Sequence, residues 1–402
     1  IYAQIVNFVS LLHIYKFCRI MRIAFVHGRF PAGGAERITI DIARYLKGVG
    51  GYEVYVYATR VSEDLLTDDI RNVLTVRKLP SQLFSNKRSK EIERLIVQDG
   101  INVIVQVTKS IPGIDGIRQR TGCKAVVACH GEPLWQRYAI VHRRQKGLPR
   151  RILWQLYNKK RFADGSLALK KAKARTMADY MRCDAYTVLC DSYRLELAEA
   201  LGIHPDTSHI YAIENPERVV TDICFDKEKM ILFCGRFENW SKRIDRLLRI
   251  WAKVQHELSD WKLVLVGNGP ADKMLRKMAQ ELKLERISFE GHQSDVAKYY
   301  RKASVVALTS HTEGWPLALS EAQAHGCIGV AFGCTSGVKE ILSPDGECGF
   351  VVPPYDEDAY AETLLKIAAF DEDQERMIRT KAVDKRHQYV PEVIAEKWRS
   401  LF

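Results

Sequence analysis

Two glutamates, Glu313 and Glu321, stand eight positions apart in "TSHTEGWPLALSEAQAHG", with Pro316 between them. On one continuous helix, eight steps of about 100° would leave them roughly 80° apart, on the same side but not stacked. Proline favours the first helical position, so the pattern predicts a helix starting at Pro316. Glu313 then lies in the loop before it and Glu321 in its second turn. The amides around Trp315, Leu317 and Ala318 would point outward without intrahelical acceptors. Such amides attract anions, and a carboxylate on each flank accepts from hydroxyls. A ligand carrying phosphates between hydroxyl-bearing sugars matches that set.

Other motifs carry related chemistry. In "CGRFENWSKRIDRLL", Arg236 and Lys242 are six residues apart and follow Gly235 at the end of a strand-like run. Arginine offers a planar fork to phosphate oxygens and lysine a movable point charge, so the two could neutralise a departing diphosphate. Taken alone they read more readily as a solvated strand-end arginine and helix-start lysine; beside the glutamate motif the phosphate reading prevails. "HGRFPAGGAERI" places Gly33 and Gly34 between a strand and a helix, with Glu36 in the first turn. Glycines there let backbone approach a ligand, but the run is not G-x-G-x-x-G and indicates no dinucleotide cofactor. "GNGPADK" lacks the third glycine and reads as a strand-to-helix turn. His130 in "VACHGEP" could bond a sugar hydroxyl or phosphate, with a structural histidine the competing reading. No P-C-x-x-C follows it, which disfavours zinc. Asp68-Asp69 and Asp371-Glu372-Asp373 read as solvated acids rather than metal ligands.

These residues need elements to hold them. Short apolar runs alternate with helical patterns, which argues for parallel sheets with crossover helices. "RIAFVH", "YEVYVYA", "NVIVQV", "KAVVAC" and "AYTVLC" read as strands of the first half. "MILFCGR", "KLVLVGN", "ISFEG", "SVVALTS" and "IGVAFG" read as strands of the second. A strand running into Asn215-Pro216, then a polar stretch, marks the break. We expect an extension or weak anchor at 1–20, one doubly wound Rossmann-like domain at 21–214, another at 215–385, and a helix at 386–402 packing back towards the first domain. Ligands of open α/β sheets sit at the carboxyl ends of the strands, where every motif above falls.

A chain of 402 residues, 47% apolar, is long for one core and suits two domains. Its net charge of +12 is concentrated. Between Trp135 and Asp184, fourteen Lys or Arg face three acids and interleave with Trp135, Tyr138, Trp154 and Tyr157. This segment suits an anionic membrane surface; a solvated helical insertion is the plain alternative. No nucleic-acid-binding pattern accompanies it. The ten cysteines form no C-x-x-C pair, and several sit in strand-like runs, consistent with a reduced cytoplasmic protein.

The second half resembles the retaining family-4 glycosyltransferases of the GT-B fold, through "ILFCGRFENWSKRIDRLL", "LVLVGNGPADKMLRKMAQELKL", the run from "ISFEG" to "EAQAHG", and "SGVKEIL". Glu313 and Glu321 match the family's E-x7-E signature, and "GGAERITIDIARYL", "TVLCDSY" and "AIENP" extend the likeness over nearly everything from Met21. The resemblance implies an α/β fold of two doubly wound Rossmann-like domains facing across a cleft. It implies a nucleotide-sugar donor, with no metal and no cofactor. Arg236 and Lys242 would hold the donor diphosphate, Glu321 the ribose hydroxyls, and Glu313 would sit beside the donor sugar near Gly314, Trp315, Pro316 and Leu317. Gly34 would approach the diphosphate, His130 the transferred sugar, and the loop at His292 the base. "EGWP" and His311 depart from the commoner family forms and bear on which sugar is used.

The expected activity is therefore transfer from a UDP-sugar to a glycan or lipid-linked acceptor in surface polysaccharide or lipopolysaccharide synthesis, at the inner face of the membrane. A nucleotide-sugar 2-epimerase on the same architecture is one alternative, which the E-x7-E pair disfavours. A non-catalytic membrane-binding module on the same scaffold is the other.

Overall fold

The computed structural model describes residues 20–31, 33–80, 85–107, 110–137, 165–217 and 219–402. The N-terminal stretch through residue 19 and most of the basic segment, 138–164, lie outside the described residues. The chain divides into two compact units: residues up to Pro216 together with Ile394–Phe402, and Glu217–Val393. The division thus falls after Pro216 and again after Val393, where sequence reading put it after 214 and 385.

The first unit is built on a parallel sheet of seven strands: β1 (Met21–His27), β2 (Tyr52–Ala58), β3 (Thr75–Lys78), β4 (Val103–Val107), β5 (Lys124–Ala128), β6 (Ala185–Val188) and β7 (Ile210–Ala212). Their order is β3-β2-β1-β4-β5-β6-β7. β4 is buried along its whole length, as a strand covered on both faces must be. Helix Gly34–Val49 buries Ile38, Ile42, Ala43 and Leu46 on one face and ends at Gly50 in a positive-φ conformation that favours glycine. Helix Ser166–Tyr180 buries Ala168, Ala172, Thr176 and Tyr180, spaced by four, and leaves Lys170, Lys171 and Arg175 exposed. Residues 394–402 complete this unit. Trp398 packs edge-on to Phe25 of β1 at 6.2 Å, and Tyr45 donates to Glu396 at 2.8 Å.

The second unit has six parallel strands: β8 (Glu228–Cys234), β9 (Lys262–Val266), β10 (Ile287–Gly291), β11 (Ala303–Leu308), β12 (Ile328–Phe332) and β13 (Phe350–Val352). Their order, β10-β9-β8-β11-β12-β13, repeats the doubly wound plan of the first. Helix Ile244–Val254 buries Leu247, Leu248, Ile250 and Trp251. Beneath the sheet, the buried Arg379 donates to the carbonyls of Ser304 and Gly326 at 3.0 and 2.8 Å. Tyr360, also fully buried, accepts from the Leu308 amide at 3.0 Å and donates to the Val330 carbonyl at 2.6 Å. One hydroxyl thus pins β11 to β12 where β11 ends.

Candidate active site

The two central strands of the second unit, β8 and β11, lead in opposite directions: β9 and β10 lie on one side, β12 and β13 on the other. Such a switch point leaves room for ligand at the carboxyl ends. The loop after β8 carries Arg236 and Lys242, and the loop after β11 carries Glu313.

The β8 loop is shaped by its own backbone: Glu238 N donates to Arg236 O at 2.8 Å, and Lys242 N to Glu238 O at 3.2 Å. It rests on the "GNGPADK" turn, where Phe237 N donates to Asn268 O (2.8 Å) and Ala271 N to Phe237 O (3.0 Å). A Cβ added to Gly267, at φ 138°, would lie 1.9 Å from Gly235 O, and one on Gly269 would lie 2.4 Å from Phe237 O. That turn leads into helix Asp272–Glu281, as its sequence suggests, and it is also the bed on which the Arg236 loop lies.

Three bonds join the two loops. Lys242 Nζ donates to Glu313 Oε1 at 2.6 Å, His311 N donates to Ser241 O at 2.6 Å, and Thr309 Oγ1 donates to Arg243 O at 3.1 Å. Ser310 Oγ reaches the same Glu313 oxygen at 2.6 Å. Glu313 keeps only 10% of its side chain exposed and Lys242 24%. The pair is sheltered but still open to a ligand.

The helix after Glu313 runs Leu317–Ala324, so Pro316 is its N-cap and not its first residue, a correction to the sequence reading. Pro316 O accepts from Leu319 N and Ser320 N at 2.9 and 3.3 Å, so the proline supplies the first helical acceptor while its ψ of 95° keeps it outside. The amides of Leu317 and Ala318 precede the first intrahelical donor. Glu321 falls in the second turn, where Tyr300 Oη donates to its Oε2 at 3.2 Å. The Cys234 thiol, at the end of β8, bonds Tyr300 and feels both Glu321 and Lys242; burial pushes it up to about 11. Glu321 is thus linked through Tyr300 to the end of β8, and Glu313 through Lys242 to the loop that follows it. Trp315 sends its indole into the core, edge-on to Tyr389 at 5.4 Å, and anchors the loop that includes the half-buried Gly314. Arg236 and His292 are exposed, each just past a strand end, after β8 and β10.

In the first unit, β1 ends at His27, whose Nε2 lies 2.9 Å from Thr39 Oγ1 and whose Nδ1 lies 3.7 Å from Glu36 Oε1. The Glu36 carboxylate folds over Gly33, where an added Cβ would meet Oε2 at 2.2 Å. Gly34 opens the helix that follows. His130, past the end of β5, lies with Nδ1 3.3 Å from Asn215 Oδ1 in the "AIENP" run. Burial, aided by the nearby His27, pushes its pKa down to about 4, so its ring is neutral near pH 7. Asp371 caps a helix with Gln374, and Asp69 pairs with Arg44, as surface acids do. Among the described residues, no three His, Cys, Asp or Glu side chains are grouped to hold a metal ion.

Sequence reasoning missed Ser310, Tyr300 and Cys234, which orient the named carboxylates. Ser310 had a signal, since it lies three residues before Glu313 at a strand end. Tyr300 had none, because only folding carries its hydroxyl to Glu321.

Two family models match consecutive parts of the chain: "Glycosyltransferase Family 4" over residues 32–216 and "Glycosyl transferases group 1" over residues 223–383. An uncharacterised glycosyltransferase of Haemophilus influenzae is 28% identical over 320 residues, 77% of this chain and 80% of that one. The amylovoran biosynthesis glycosyltransferase AmsD of Erwinia amylovora is 29% identical over 189 residues, 47% of this chain and 52% of that one. Anabaena Alr3699/HepE, solved in complex with UDP, superimposes with a TM-score of 0.71 at 16% identity, over 94% of this chain and 99% of that one, a likeness of fold.

Proposed function

The chain belongs to glycosyltransferase family 4, with the GT-B fold, and from that premise we propose that it moves a hexosyl group from a UDP-sugar, with retention at the anomeric carbon and without a metal, to a glycan or lipid-linked acceptor in surface polysaccharide synthesis. The carrying observation is the Lys242–Glu313 contact of 2.6 Å at the β8/β11 switch point. It places a phosphate-seeking cation beside a carboxylate, two groups that can each meet one of the opposite charges that develop. The UDP complex of HepE supports a uridine donor, and the AmsD name supports polysaccharide assembly.

In this reading the bond between the anomeric carbon and the diphosphate oxygen breaks. The ring becomes oxocarbenium-like while the diphosphate gains negative charge. Lys242, Arg236 and the Leu317 and Ala318 amides stabilise the diphosphate, and preorganised donors of this kind typically contribute about 2.7–4 kcal/mol each. Glu313 stabilises the ring charge, and Glu321, oriented by Tyr300, accepts from the ribose hydroxyls. The departing phosphate oxygen takes the proton of the acceptor hydroxyl as the acceptor oxygen bonds the anomeric carbon from the same face. The proposal assigns His130, in its neutral form, to the transferred sugar, the Gly34 turn to the diphosphate and the His292 loop to the base.

Thermal-shift measurement across a panel of nucleotide-sugars tests the donor. A ligand at about 100 times its dissociation constant adds roughly 2.7 kcal/mol of stability. A UDP-sugar is expected to give the largest shift, and incubation with it plus acceptor should consume both. A 2-epimerised donor without transfer, or a stronger response to a GDP- or ADP-sugar, overturns the assignment.

A further inference from the structure

Among the described residues of the second unit, four that are not glycine have left-handed backbone: Arg243 (φ 46°), Lys283 (φ 50°), Arg286 (φ 50°) and Tyr355 (φ 68°). Two of them, Arg243 and Tyr355, converge on one short segment, residues 309–311. Arg243 immediately follows Lys242, and its carbonyl accepts from Thr309 Oγ1 at 3.1 Å. Tyr355 is distant in sequence, yet its hydroxyl donates to the His311 carbonyl at 3.1 Å, and its ring stacks on the His311 imidazole at 5.1 Å and 24°.

A bulky aromatic at positive φ is an outlier, since glycine or asparagine takes that conformation at lower cost. The turn itself asks for no aromatic. Pro353, Pro354 and Tyr355 lead into Asp356, which caps helix Glu357–Ala368 with its own carboxylate. Nor does burial explain the choice, because Tyr355 is 41% exposed. What the side chain does is cover the buried Arg246 guanidinium, 4.3 Å from the ring centroid, and grip His311 from the outside. His311 N in turn donates to Ser241 O, beside Lys242, and Ser310 of the same segment donates to Glu313, the carboxylate that Lys242 also bonds.

We propose that Tyr355 is a positioning residue for the transfer step. It holds a strained backbone so that its ring and hydroxyl fix residues 309–311, and through them the separation of Lys242 and Glu313. Arg243 grips the same segment from the opposite loop. The kinetic part of this inference rests on the function proposed above, whereas the geometric part does not.

The test uses the full chain with Tyr355→Phe, Tyr355→Asn and Tyr355→Gly. The glycine and asparagine variants accept the left-handed turn and lose the clamp; the phenylalanine variant keeps the ring and loses the hydroxyl. With the UDP-sugar that the wild type uses, Tyr355→Gly should lower kcat by roughly 10- to 100-fold, because misplacement near 1 Å costs on that order. Donor KM should stay within about threefold, and the melting temperature within about 2 °C, since strain relief offsets the lost contacts. Tyr355→Phe should retain most of kcat. In its crystal structure, Tyr355→Gly should have lost the 2.6 Å contact between Lys242 and Glu313. Wild-type kcat in Tyr355→Gly, or a fall in kcat matched by a large fall in melting temperature with that contact retained, overturns the proposal. If Tyr355→Gly does not fold, Tyr355→Asn is judged by the same readings. If the wild type turns over no UDP-sugar, the functional reading has failed, and the crystal structure alone decides: a retained contact refutes positioning and a lost one supports it.

Discussion

Lys242 Nζ and Ser310 Oγ both lie 2.6 Å from the same oxygen of Glu313, so one carboxylate is held by a residue from the β8 loop and by one from the end of β11. Neither loop alone specifies that position. The contact also gives the ammonium a resting partner, which a diphosphate can replace with two negative charges in place of one.

Removing the ammonium is therefore expected to impair chemistry far more than folding. Lys242→Ala should reduce kcat by about 10²–10³, and its melting temperature should stay near that of the wild type because the pair is partly solvated. Steady-state kinetics beside a melting curve checks this. A loss below threefold would remove Lys242 from the mechanism.

The glycine bed beneath the Arg236 loop can be tested by crowding it. Gly267→Ala puts a methyl 1.9 Å from Gly235 O, where backbone must move. Overpacking of this kind costs about 1–3 kcal/mol, and the displaced loop should raise donor KM. Gly48→Ala, whose added methyl meets nothing within 4 Å inside helix Gly34–Val49, is the control and should be neutral or stabilising. Urea midpoints and donor KM report the two effects, and equal behaviour of the two variants would contradict the bracing role.

His130 makes stability depend on pH in a defined direction. Its pKa falls from 6.5 in the unfolded chain to about 4 in the folded one, chiefly through burial. Between those values the unfolded state binds the extra proton, so stability rises with pH across the window and is lost as pH falls from 6.5 towards 4. The contribution is roughly 1–3 kcal/mol. His130→Gln should flatten the dependence of urea midpoints on pH in that range, and an unchanged slope would place the effect elsewhere.

The basic segment between Trp135 and Asp184 is expected to bind vesicles containing anionic lipid. Binding should weaken as salt shortens the screening length, to about 8 Å at physiological ionic strength. It should weaken again when Arg143, Arg144, Arg150 and Arg151 are neutralised. Co-sedimentation with phosphatidylglycerol vesicles measures both, and salt-insensitive binding would point to a different partner.

Much of the architecture was legible before any coordinates. The central strands β1, β4, β5, β8, β9, β11 and β12 announce themselves as short apolar runs, because strands covered on both faces are largely apolar, and β2, β6 and β10 as short β-branched or aromatic runs bounded by turn residues. β3 ("TVRK") and β13 ("FVV") did not, since one is a polar edge strand and the other is three residues long. Pro316 was placed correctly at the helix start but one position too far in, because proline suits both the N-cap and the first turn, and the carbonyl geometry selects between them.

By itself the sequence determined which residue types stand at strand ends, and so which chemistry the chain can offer: two glutamates, a lysine and an arginine beside turn glycines. Those properties are local, set by composition and by periods of two and 3.6 residues. The tertiary structure alone decided who meets whom. It brought Lys242 to Glu313, Tyr300 to Glu321 and Tyr355 to His311, pairs separated by 71, 21 and 44 positions. Contacts across such distances depend on the order in which parallel strands pair, and no local pattern encodes that order.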